Sequence, residues 1–256
     1  MAEPILVEKS NQLLVLTLNR PEKKNALTRD MYRTLAAHIN DANADTDVRC
    51  VLLQANGDMF TAGNDLQDFA AFNSSSTPAN EHDNPFILAL GTARKPLVAA
   101  VNGLAVGVGL TMLLHCDMVF LSEDAALTAP FVNLALVPEA ASSMLLPLRI
   151  GYARAFEVLV LGEAVPARRA VEWGLANRAV PLADLRNVAR AAALAIASRA
   201  PSAVLATKHL MRDATALRRR MDMESDHFMR QLRSPEFKEA YTAFSERRAA
   251  DFSQFK

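Results

Sequence analysis

Cysteine is scarce: Cys50 and Cys116 are the two in 256 residues, and both sit in apolar surroundings. The chain therefore does not read as a disulfide-stapled scaffold. Two reduced, buried thiols in a cytoplasmic protein are expected. No His/Cys pair has ligand spacing, so no metal is expected. Charge imbalance is absent too, since 28 basic and 28 acidic residues cancel. That leaves no electrostatic case for nucleic acid or an anionic membrane as partner. Apolar runs are broken by Gly, Pro or charge before they reach bilayer length. The start, MAEPILVEKS, lacks the charged and apolar regions of a secretory signal, and SQFK at the end does not read as a peroxisomal address. No internal repeat or low-complexity linker is found.

What is present is apolar bulk. Half of the residues (51%) are hydrophobic, enough for one large domain or a domain with an appendage. Strand-like runs at 5–7, 13–18, 49–54, 97–101 and 118–121 alternate with helical patterns up to about residue 145. Helices alone are expected after that. This order predicts an α/β core with a helical C-terminal appendage. Ser10-Asn11 reads as a hairpin turn. Thr28 reads as an N-cap, with Met31, Leu35 and Ile39 as the buried stripe behind it. Ser234-Pro235 opens a last helix expected to reach about Ala249. Residues 73–85, rich in Ser, Asn and Pro, read as a mobile surface loop.

Pro96 to Asp117 (PLVAAVNGLAVGVGLTMLLHCD) is the organising stretch. A buried strand turns at Asn102-Gly103, and Gly107 and Gly109 flank Val108 before a buried helix. Free N–H groups at such a helix start favour negative charge on an oxygen. Taken alone, the glycines are equally accounted for by tight strand–helix packing, and that is the preferred reading of this stretch in isolation. Phe60 to Leu66 (FTAGNDL) makes a similar strand-to-helix change at Gly63-Asn64. Asp65 and Asp68 fit cap and dipole partners there. Glu139, in VPEAASS, is by pattern a helix-start charge. Thr111 is expected to bond to backbone. His115 reads as a satisfied core histidine.

Six segments together resemble the enoyl-CoA hydratase/isomerase (crotonase) superfamily over nearly the whole chain. They are LNRPEKKNALT at 18–28, FTAGNDLQDF at 60–69, VNGLAVGVGLTMLLHCDMVF at 101–120, PFVNLALVPEAASS at 130–143, EWGLANRAVP at 172–181 and SPEFKEAYTAFSERR at 234–248. The resemblance implies a crotonase-like spiral of ββα turns over residues 1–198. It also implies a helical C-terminal region, 199–256, for trimerisation and coenzyme A contacts. A homotrimer or a hexamer (dimer of trimers) is implied. An acyl-CoA thioester substrate, with no separate cofactor, is implied as well. Two backbone N–H groups, carried over to Asn64 and Val108, would hold a thioester enolate. Lys23, Lys24, Ala26 and Ala62 match the walls around the coenzyme. Asp65, Leu66 and Phe131 are further candidate substrate contacts, and Leu66 with Phe60, Phe69 and Phe72 would line an acyl pocket or the core. Phe244 and Arg247, in the last helix, match positions reaching a neighbouring subunit's nucleotide.

Departures from the family pattern narrow the chemistry. Hydratases of this family use two glutamates. Here Thr111 and Phe131 stand in those places, and neither is a general base near neutral pH. Glu139 instead occupies the place of the single base in the 3,2-enoyl-CoA isomerase-like subgroup. The expected reaction moves the double bond of a 3-enoyl-CoA to give a 2-enoyl-CoA. Apolar neighbours Leu136, Val137 and Ala140 would desolvate Glu139 and raise its basicity. The alternatives are another crotonase reaction (hydration or thioester hydrolysis) or a non-catalytic acyl-CoA-binding paralogue.

Overall fold

The computed structural model describes residues 3–65 and 84–255. Its strands, in chain order, are β1 (Ile5–Ser10), β2 (Leu13–Leu18), β3 (Cys50–Ala55), β4 (Leu97–Val101), β5 (Ala105–Val106), β6 (Met118–Ser122), β7 (Ala126–Thr128), β8 (Val165–Pro166) and β9 (Arg178–Val180). Its α-helices are α1 (Arg29–Ala44), α2 (Pro85–Thr92), α3 (Val108–Leu113), α4 (Ser142–Ile150), α5 (Tyr152–Phe156), α6 (Ala167–Glu172), α7 (Leu182–Ala197), α8 (Pro201–Leu210), α9 (Ala214–Leu232) and α10 (Pro235–Ser245).

The main sheet has the order β1-β2-β3-β4-β6-β9, and β5, β7 and β8 form a small second sheet. The β1–β2 pair is antiparallel, and every later pair in the main sheet is parallel. The hairpin turns on Asn11 and Gln12, both left-handed, one residue beyond the expected Ser10-Asn11. Two consecutive positive φ values suit the right-handed twist of the flanking strands.

Both faces of the inner strands β2, β3, β4 and β6 are covered, which is why they read as largely unbroken apolar runs. On one face Leu13, Val15, Cys50, Leu52, Val98, Ala100 and Phe120 meet Leu185, Ala189, Ala193 and Ala197 of α7. Alanine at every fourth position lets that helix lie close to the sheet. The alternate residues Leu14, Leu16, Val51, Leu53, Ala99 and Val119 meet Met31, Leu35 and Ile39 of α1 on the other face. Thr28 caps α1 by accepting from the Met31 N–H, as its sequence position predicts.

The mixed α/β class holds, with two corrections to its outline. Strands do not stop near residue 145. β8 and β9 come later, and β9 adds to the sheet edge beside β6. A three-residue strand beginning with an exposed Arg178 has too few residues to display a period. Helix α10 ends at Ser245, not near Ala249. Arg247 adopts φ 55, and the Arg248 N–H turns back to the Ala243 carbonyl, closing the helix.

Helices α8 and α9 fold back over the core. Leu217 and Met221 of α9 pack with Ala141, Ile87, Leu88 and Met144. Lys208 of α8 is buried against the sheet, where its Nζ donates to Asp117 Oδ2 (2.7 Å) and to the Lys95 carbonyl (2.8 Å). Among the described residues no single helix is long and apolar enough to cross a membrane.

Candidate active site

Two glycine loops are joined side by side. Thr61 and Ala105 form a parallel bridge, with the Val106 N–H donating to the Thr61 carbonyl at 3.0 Å. Asn64 bridges Leu27, but through its neighbours: Leu27 N–H donates to Gly63 O and Asp65 N–H donates to Leu27 O. The Asn64 N–H is not spent on that bridge. Val108 is the first residue of α3, and its N–H has no intrahelical acceptor. Both loops depend on glycine. Gly63 and Gly107 have φ of 89 and 57. A Cβ on Gly109 would meet Thr61 Cγ2 at 2.6 Å. The fold thus brings the Asn64 and Val108 loops together, Val108 at the start of α3.

The first loop is anchored by polar side chains. Buried Asn25 donates to the Asn56 and Met59 carbonyls at 2.8 and 2.9 Å. Thr61 Oγ1 donates to the Asn25 carbonyl at 2.7 Å. Ala62 N–H donates to the Lys24 carbonyl at 2.9 Å, so Lys23, Lys24, Ala26 and Ala62 lie along one edge of this loop. Asp65 is ion-paired with Arg20 at 3.2 Å, and Arg20 also donates to the Ala26 carbonyl at 2.7 Å. The Tyr32 hydroxyl donates to the Asn64 side-chain oxygen. Leu66, Asp68, Phe69 and Phe72 lie outside the described residues, as does most of the 73–85 loop.

Glu139 stands opposite α3. Thr111 Oγ1 donates to Glu139 Oε1, and lies 3.4 Å from the Val108 carbonyl. The backbone bond expected for Thr111 is therefore the weaker of its two contacts. Its position on the inward face of α3 aims the hydroxyl at the carboxylate. Glu139 Oε2 is buried and has no hydrogen-bond partner among the described residues. Burial pushes the Glu139 carboxyl up to about 8, with the Thr111 hydroxyl opposing and the Glu224 charge adding to the rise. A carboxyl with one held oxygen, one unpaired oxygen and raised basicity can exchange a proton near neutral pH.

Phe131 is buried in the main core, its carbonyl accepting from the Leu134 and Leu136 N–H groups. Phe244 and Arg247 are exposed near the end of α10. Arg247 lies beyond that helix, which corrects its expected helical placement. Cys50 and Cys116 are buried thiols pushed up to about 12 by burial, which keeps them unreactive. Among the described residues no cluster of three or more His, Cys, Asp or Glu side chains converges.

The family model for enoyl-CoA hydratase/isomerase matches residues 8–255. The chain belongs to the enoyl-CoA hydratase/isomerase family. It is similar to the 1,2-epoxyphenylacetyl-CoA isomerase of Escherichia coli K12, at 31% identity over 99% of both chains. It is 35% identical to the enoyl-CoA delta isomerase 2 of Rattus norvegicus over 81% of this chain and 54% of that protein. A crystal structure of an enoyl-CoA hydratase/isomerase from Pseudoalteromonas atlantica T6c superposes with a TM-score of 0.91. It is 46% identical and covers 98% of this chain and 100% of that one. Curated relatives at 29–36% identity carry the names of both hydratases and isomerases.

Within this enoyl-CoA hydratase/isomerase fold, two supports of the Glu139 loop were invisible to sequence reasoning. Glu224 of α9 accepts from the Ala141 N–H (2.5 Å), the Ser143 N–H (2.9 Å) and the Ser143 hydroxyl (2.5 Å). His115 bonds through Nε2 to the Ala140 carbonyl at 2.7 Å, while Arg212 bonds to its Nδ1. A guanidinium only donates and a carbonyl only accepts, so His115 is neutral with its proton on Nε2. Burial, then the nearby Arg212 charge, pushes His115 down to about 3, in keeping with that tautomer. A core histidine is what the sequence suggests, but its task of holding the Glu139 loop is a tertiary fact.

Proposed function

We propose that this acyl-CoA enzyme converts a 3-enoyl-CoA into the conjugated 2-enoyl-CoA, with Glu139 as acid and base. The observation that carries this reading is a carboxylate with Oε2 buried and unpaired among the described residues, its other oxygen bonded by a hydroxyl rather than by a second carboxyl group. A single carboxylate suffices for a double-bond shift. Ionised Glu139 takes the C2 proton. The C2–H electron pair delocalises through the thioester and the C3–C4 double bond, giving a dienolate. The N–H groups of Asn64 and Val108 would receive the negative charge on the thioester oxygen; a donor of this kind contributes about 2.7–4 kcal/mol to the transition state. The same carboxyl returns its proton to C4. The double bond then lies between C2 and C3, and no atom has been gained or lost.

Hydration would instead need a second group to hold and activate water. Thr111 lacks the basicity for that near neutral pH. Lys23, Lys24, Ala26, Ala62, Asp65 and Leu66 are proposed to border the coenzyme and acyl chain, with Phe131 behind them. Phe244 and Arg247 are proposed to serve a neighbouring subunit's nucleotide in a homotrimer or hexamer, and a cytoplasmic location suits a CoA substrate.

The test is product analysis of 3-enoyl-CoA and 2-enoyl-CoA incubations by mass and conjugated-thioester absorbance. Conversion of 3-enoyl to 2-enoyl at constant mass, lost in Glu139→Gln while acyl-CoA binding persists, is the expected result. Gain of one water by 2-enoyl-CoA as the main reaction, or full turnover by Glu139→Gln, overturns the reading.

A further inference from the structure

We infer that Glu224 is a positioning residue for Glu139, holding the general base from a helix 85 positions further along the chain. This inference rests on the proposed role of Glu139.

The segment Glu139–Ser143 has little reason of its own to stay in place. Ala140 and Ala141 both have positive φ, 58 and 57, without being glycine. Side chains with a Cβ resist this region, so something outside the segment must compensate. Helix α4 begins there with Ala141 as its N-cap, and no side chain of the segment caps it. Glu224 supplies the missing acceptor. Its carboxylate receives the two N–H groups of Ala141 and Ser143 together with the Ser143 hydroxyl, at the positive end of α4. Glu224 is itself buried, at 6% exposure. A buried carboxylate taking three donors from one short segment is a clamp. The Ala140 carbonyl is held separately, by His115 Nε2. Displacing Glu224 frees one side of that grip.

Glu224 also acts on Glu139 through charge. Among the described residues, the groups acting on Glu139 are the Thr111 hydroxyl from α3, which bonds it, and the Glu224 charge from α9. Neutral His115 adds no charge of its own. Glu224 is faced in turn by Ser143 from α4 and by the Arg220 charge on its own helix. The Glu224 charge raises the basicity of Glu139, so its removal favours ionised Glu139 at lower pH.

The test uses Glu224→Gln, which keeps shape and burial but turns an N–H₂ group toward the N–H donors. Glu224→Asp and Glu139→Gln serve as comparisons in the full-length protein. Expected for Glu224→Gln is a fall in kcat of about ten- to a hundredfold with KM little changed, as for a misplaced catalytic group. The acidic limb of its kcat/KM profile should move to lower pH. Glu224→Asp should recover part of the rate. Carbon-13 NMR of labelled glutamate, with the Glu139→Gln spectrum identifying the Glu139 signal, should show the same downward displacement without any turnover. Unchanged kcat and an unmoved Glu139 titration in Glu224→Gln overturn the inference. A uniform loss of rate that follows only the folded fraction, with the titration unmoved, also overturns it. Retained turnover in Glu139→Gln refutes the base assignment instead, whatever Glu224→Gln does.

Discussion

Replacing Thr111 with Val isolates the one group among the described residues that lowers the basicity of Glu139. Valine has nearly the same shape as threonine, and position 111 is fully buried, so packing in α3 is largely kept. The change removes the hydroxyl that donates to Glu139 Oε1. That bond favours the charged carboxylate, so its loss raises the Glu139 pKa above its already raised value of about 8. A hydrogen bond to a charged group contributes about 1.5–3 kcal/mol, which corresponds to about one to two pH units. With a limb at about 8, roughly a tenth of the molecules hold ionised Glu139 at pH 7. In the variant that fraction becomes roughly a hundredth to a thousandth. The proposed isomerisation of 3-enoyl-CoA at pH 7 should therefore fall about ten- to a hundredfold, and the loss should shrink as pH rises through about 8 and above. The assay is kcat/KM from conjugated-thioester absorbance between about pH 6 and 9.5, with unfolding in urea checked in parallel. A limb that stays put, moves to lower pH, or a loss equal at every pH would refute the argument that Thr111 tunes Glu139.

Other expectations concern the frame around the site. Gly109→Ala places a Cβ 2.6 Å from Thr61 Cγ2 and presses apart the two loops bearing Asn64 and Val108. It should cost about 1–3 kcal/mol in urea unfolding and lower turnover; an unchanged midpoint with normal activity would mean that the loops do not need this close approach. Lys208→Met strands Asp117, whose other Oδ2 contact is the Leu97 N–H. Because Asp117 keeps partial exposure, destabilisation of about 3 kcal/mol, at the lower end for a broken buried pair, is expected in denaturant unfolding. A thermal midpoint equal to the unmodified protein's would show that water replaces Lys208 without loss.

Much of the fold was legible because its signals are short-ranged. The apolar runs of β2, β3 and β4, the Thr28 cap and the Ser234-Pro235 helix start each depend on residues a few positions apart. So do the glycines that let the Asn64 and Val108 loops turn. Glu139 could be singled out by motif but not by chemistry, since a glutamate after proline is equally a helix-start charge. Three-residue β9 lacked a period to read, and Arg247 fell outside α10 because a left-handed residue ended the helix early.

What tertiary structure alone decided is the environment of Glu139. Thr111 lies 28 positions before it and Glu224 85 positions after it, so no local pattern links them. The basicity of the carboxyl comes from the water that packing removes and from a charge delivered by a distant helix. Sequence by itself determined which residues are candidates for the chemistry and which glycine turns stand beside them. Only folding, by burying one oxygen, partnering the other and clamping the segment between Glu224 and His115, gave that glutamate the raised basicity its proposed role needs. The reason is physical: capping, turn geometry and periodicity act along the chain, whereas desolvation and electrostatics act through space.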